Sequence, residues 1–117
     1  MGRRSRALLD ASSPRVFGAA LAAAAGPAAA ADVTRDVMVA AMTGRARPDA
    51  RTLVERAVLR AVREAPHTSF AAMSADDREV VALARLAGYS VAEVAQALGI
   101  APSEARLRMV NGLRAVT

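Results

Sequence analysis

The chain has 117 residues, 54% of them hydrophobic but only 3% aromatic and none Trp, so its core is built from Ala, Leu, Val and Met. Those side chains suit close helix packing, and runs of β-branched or aromatic residues with period-two alternation, which a sheet needs, are absent. The lack of Cys excludes disulfides, thiolate metal sites and cysteine catalysis, while a net charge of +5 carried by Arg alone is compatible with phosphate binding but follows first from GC-rich codon usage. An all-α fold is expected.

Residues 1–12, with Arg3, Arg4 and Arg6, read as a basic flexible arm. Together with the apolar stretch 16–31 and Ala29-Ala30-Ala31-Asp32 they have the outline of a secretory signal. Asp10 and Pro14 interrupt that outline, the stretch is mostly Ala, and Gly26-Pro27 breaks it well short of a bilayer span. A helical hairpin and a cytoplasmic location are therefore expected, with no membrane contact. The first helix is predicted over 14–25 with Val16, Ala20, Leu21 and Ala24 inward. Gly26-Pro27 ends it and opens a second over about 28–42, with Val33, Val37 and Ala41 inward and Asp32 and Asp36 opposite. Residues 43–48 form a turn, and Asp49 caps a third helix running to Glu64. Its apolar stripe is Leu53, Val54, Ala57, Val58, Ala61 and Val62, with Arg51, Glu55, Arg56, Arg60 and Arg63 off it. Residues 65–73 read as a linker, in which His67 has no ligand-spaced partner.

Ser74-Ala75-Asp76-Asp77 and Ser90-Val91-Ala92-Glu93 each have the order of a capping box, in which a Ser oxygen and an acid three residues on satisfy the free amides of a helix start. The first opens a helix through Val80, Val81, Leu83, Ala84 and Leu86 that Gly88 ends. The second opens a short helix, 91–98, with Val94, Ala95 and Leu98 inward. Gly99 supplies a sharp turn, and Pro102 starts a last helix carrying Ala105, Met109 and Leu113 inward. Two capped helices around a tight glycine turn are a helix-turn-helix.

These residues carry a resemblance. The stretches 77–83 and 87–102, with the order Gly-x-Ser-x-x-Glu-x-Ala followed by Leu-Gly-Ile-x-Pro, resemble region 4 of the extracytoplasmic-function sigma factors. That likeness implies binding to the −35 promoter element and to the flap of RNA polymerase. Upstream, 13–21 and 26–37 are similar to the start of region 2, which implies docking on the polymerase clamp helices through Asp32, Arg35 and Asp36. Asp49-Ala50-Arg51 with Arg56 resembles the later part, which reads and opens the −10 element. The expected organisation is a region 2-like half at 13–64, the linker, and a region 4-like half at 74–117.

The pattern also departs from that family. Leu53, Val54 and Ala57 stand where the resemblance calls for groups that capture extruded bases, and stacking platforms are missing there. In the last helix Arg106, Arg108, Asn111 and Arg114 are the expected DNA contacts. Leu107 and Val110, on one face of that helix, are expected protein contacts. Residues 1–66 hold 11 Arg against 6 acids, whereas 67–117 hold 5 against 5, so DNA binding by the second half is expected to be weak alone. Core RNA polymerase, promoter DNA and a sigma, anti-sigma or other protein are the expected partners. No phosphate loop or nucleophile–base set is present, so neither enzyme activity nor a cofactor is expected.

Overall fold

The computed structural model describes residues 3–44 and 48–116, with side chains from Ser12 onward. Among these the chain is all-α, with helices α1 (Arg3–Ala23), α2 (Pro27–Thr43), α3 (Ala50–Glu64), α4 (Thr68–Ala71), α5 (Ala75–Leu86), α6 (Val91–Leu98) and α7 (Pro102–Ala115). None of the described helices is long and apolar enough to cross a membrane. Ala29 to Asp32, the candidate cleavage site, lies inside α2 with Ala30 buried.

The punctuation residues act as their chemistry dictates. The Asp49 carboxylate accepts the Thr52 backbone N–H at 2.8 Å and starts α3. Ser90 and Glu93 form both halves of a capping box at α6. At α5 the Ser74 hydroxyl accepts from Asp77 N–H at 3.3 Å, and only this half of the box is formed among the described residues. Aspartate is one methylene shorter than the glutamate that reaches back at Ser90. Residues 45–47 of the predicted turn lie outside the described residues.

Three sequence expectations need correction. Helix α1 starts at Arg3, within the stretch read as an arm, and runs through Pro14. Pro14 itself is exposed, and Ala7, Leu8, Leu9 and Ala11 around it in sequence are good helix formers that carry the helix through a residue lacking an N–H. Leu21 is 41% exposed, and Ala23 takes its inward place beside Val16, Ala20 and Ala24. The small Ala side chains let α1 approach α2 and α3 closely, and Leu21 falls off that face. Third, 68–71 of the linker is helical: His67 Nδ1 accepts the Ser69 N–H at 3.1 Å and caps α4.

The linker is tied down by an isolated β-bridge between Ala24 and Pro66. Ala25 N–H donates to the Ala65 carbonyl at 2.8 Å, and His67 N–H donates to that of Ala23 at 2.7 Å. The Arg78 guanidinium donates to the Met73 carbonyl at 2.8 Å, tying the end of this segment to α5.

One contiguous apolar cluster then runs through both halves, from Val16 and Ala20 through Leu53, Val58 and Val62 to Val80, Leu83, Val94 and Ala105. Helix α5 explains how. Val80, Val81, Ala82 and Leu83 are four consecutive buried residues, which one apolar stripe cannot produce. The helix is covered on two sides, by α3 and by α7. Burying each Leu or Val in this cluster contributes roughly 1.5–3 kcal/mol.

Candidate nucleic-acid interface

Helix α6 ends at Gly99, whose φ of +67° is the left-handed conformation that glycine adopts without a Cβ penalty. Ile100 N–H donates to the Ala95 carbonyl at 3.0 Å and Gly99 N–H to that of Gln96 at 3.4 Å, a Schellman ending. Pro102 then opens α7 after an extended Ala101. Gly88, at φ +70°, makes the earlier turn between α5 and α6. The two helices α6 and α7 are packed on each other and on α5.

The inward edge of α7 is Ala105 with Met109 and Leu113, as expected, joined by Gly112. A Cβ at Gly112 would lie 2.7 Å from Val81 Cγ2 and 3.3 Å from Met73 Sδ, so the missing side chain sets how close α7 sits on α5. The sequence reading passed over this glycine. Its only signal was a helix-breaking residue in phase with Ala105 and Met109.

The outward face carries Ser103, Arg106, Leu107, Val110, Asn111 and Arg114, all exposed. Leu107 is 54% and Val110 41% exposed. Arg108 points elsewhere. Its side chain is only 22% exposed and pairs with Glu104, Nε to Oε1, at 3.0 Å. That hydrogen bond, with the charges of Asp76 and Asp77 adding, holds the guanidinium above its ordinary pKa. Of the four expected DNA contacts, Arg106, Asn111 and Arg114 therefore lie on the outer face, and Arg108 on an acidic shoulder beside the start of α5.

On α2, Asp32 and Arg35 form an exposed pair at 3.4 Å. Asp36 is engaged by Arg60 of α3 at 3.2 Å, which also holds Glu64 at 3.1 Å. The expected docking triad thus lies along one helix, with its third member committed to an internal ion pair. Leu53, Val54 and Ala57 are buried, so they present no surface to DNA and their lack of aromatic character decides nothing about base capture. The α3 residues beside the open groove against α2 are Arg56, Leu59, Arg60, Arg63 and Glu64.

A junction between the halves was not read from sequence. The Arg51 guanidinium lies 4.4 Å from the Tyr89 ring centre and forms an ion pair with Glu93. The Tyr89 hydroxyl donates to Glu55 Oε1 at 2.8 Å. Burial, then the Glu55 bond, pushes the phenol pKa up. The Glu93 carboxyl is held down chiefly by the Ser90 backbone N–H and further by Arg51. Arg63 pairs with Glu79 of α5. Tyr89 is the only Tyr in the chain and sits directly after the Gly88 turn, the one hint available beforehand.

A capped helix, a left-handed glycine turn and a second helix whose outer face carries Arg106, Asn111 and Arg114 around Leu107 and Val110 have the geometry of a helix-turn-helix. Residues 67–116 match the family model described as sigma-70, region 4, which supports a sigma-factor-like family for this chain. The match starts at His67 and so takes in α4 with its histidine cap. No curated protein and no solved structure matches the chain.

Proposed function

We propose that this protein is a sigma-factor-like component of bacterial transcription that contacts promoter DNA through α7 and core RNA polymerase through its helical surfaces, without catalysis of its own. The observation that carries this reading is the region 4 match over a helix-turn-helix whose outer helix offers Arg106, Asn111 and Arg114. The finer reading takes α1–α3 as region 2-like and the chain as a compact relative of the extracytoplasmic-function group, working in the cytoplasm. Its support is the order of motifs in the sequence and the exposed Asp32–Arg35 pair on α2. DNA affinity alone is expected to be weak, because Glu104, Asp76 and Asp77 sit beside the one other arginine of α7's first three turns, Arg108.

A second reading is favoured by Leu107 and Val110, which stand exposed in the middle of α7. In it the chain regulates through protein contacts with polymerase or another sigma or partner subunit and opens no promoter. Purified bacterial core polymerase mixed with the full chain separates the two. Retention of core together with promoter-dependent transcripts supports the first reading. Retention without transcripts supports the second, and no retention at any salt concentration sinks both.

A further inference from the structure

We propose that Leu107 and Val110 pack against thymine C5-methyl groups in the DNA major groove, so that the site bound by α7 is selected for A·T pairs. This rests on the DNA-contact reading above and names what the outer helix reads. The methyl of thymine is the apolar feature that a base pair presents in the major groove, and an apolar side chain is its natural complement.

Two observations argue for a methyl. Leu107 and Val110 are exposed amid groups that suit DNA: Arg106 precedes Leu107, Asn111 follows Val110, and Ser103 and Arg114 lie one turn before and after on the same exposed face. Arginine serves phosphate or guanine, and asparagine pairs with adenine through its N6 and N7, so Asn111 beside Val110 covers the adenine edge next to a thymine methyl. Second, Leu107 and Val110 lie three residues apart on one face, a rise of about 4.5 Å along α7, so a helix seated in the major groove can set them against neighbouring base pairs.

The first arm of the test changes the DNA and leaves the protein untouched. A random-sequence duplex pool is selected with the full chain at low salt, and the enriched duplex is remade with uracil in place of thymine, which removes only the methyl. Loss of each contacted methyl should weaken binding about four-fold, the equivalent of about 0.8 kcal/mol, and about fifteen-fold for two. The variant L107A/V110A, in which both substituted side chains are exposed, should bind the thymine and uracil duplexes alike. Equal binding of the two duplexes by the wild-type chain overturns the inference and leaves DNA binding standing. Failure to enrich any duplex overturns both. Failure to enrich together with loss of core polymerase retention in L107A/V110A assigns the pair to a protein instead.

Discussion

Replacing Gly112 by Ala tests whether the distance between α7 and α5 is set by a missing side chain. The new methyl would lie 2.7 Å from Val81 Cγ2, and Val81 is 1% exposed. Val81 cannot step aside cheaply, because a β-branched residue in a helix has one strongly preferred rotamer. Met73 Sδ at 3.3 Å is a softer neighbour that can yield. Forcing a methyl into such a contact costs roughly 1–3 kcal/mol, offset by about 0.5–1 kcal/mol from replacing a helical glycine. The net expectation is a loss of about 1–2 kcal/mol, read as a fall of about 4–8 °C in the melting midpoint. Urea titration of Gly112→Ala, Val81→Ala and the double variant measures the coupling directly. A favourable interaction of about 1 kcal/mol or more is expected in the double variant, since Val81→Ala makes room for the methyl. A Gly112→Ala protein as stable as wild type would falsify the close-approach argument, and α7 would then be positioned by Ala105, Met109 and Leu113.

Other expectations follow from the geometry of single residues. Arg106→Ala should flatten the salt dependence of duplex binding by about one unit, whereas Arg108→Ala should leave the slope unchanged because Glu104 already holds that charge; fluorescence anisotropy between about 50 and 200 mM salt distinguishes them, and equal slopes for the two variants would sink the distinction. Tyr89→Phe removes the bond to Glu55 and should cost about 1 kcal/mol in a denaturant titration; an unshifted midpoint would mean that the junction contributes nothing. Asp49 and Glu93 carry carboxyls held below their ordinary pKa, the first chiefly by the Thr52 backbone N–H and the second by that of Ser90. The folded chain therefore binds fewer protons than the unfolded one, so this stabilisation is present at neutral pH and is lost as pH falls through the carboxylate range. The variant Asp49→Asn with Glu93→Gln should show a shallower loss of stability between about pH 7 and pH 3; an unaltered acid limb would place that loss elsewhere.

What could be read from the sequence was what local chemistry decides. Asp49, Ser74, Ser90 and Gly99 begin and end their helices because each supplies an acceptor or a left-handed turn within four residues of chain. The stripe of α3 was legible because its arginines leave only one face to bury. Helix α5 was legible only in part. The sequence shows that Val80, Val81 and Leu83 are apolar, but coverage from two sides depends on which helices arrive there. Leu21 and Gly112 were misread or missed for the same reason, since a leucine is not inward by nature and a glycine announces close approach only once its neighbour is known. In the outer face of α7 the exposed residues were identified, yet the withdrawal of Arg108 required Glu104 four residues earlier and Asp76 from another helix. The junction of Arg51, Glu55, Tyr89 and Glu93 spans up to 42 positions of sequence and carries no local mark.

The covering of α5 from both sides has a consequence for recognition. Two binding modules on a flexible tether find their sites independently, and the tether sets an effective concentration for the second encounter. Here α5 belongs to the packing of both halves, and the bridge at Ala24 and Pro66 removes the slack between them. On the proposed reading, the contacts of α2 and of α7 would be held at one separation and one angle. The molecule would then act as a caliper: a pair of sites at the wrong spacing would be reached only by bending the target or breaking the core.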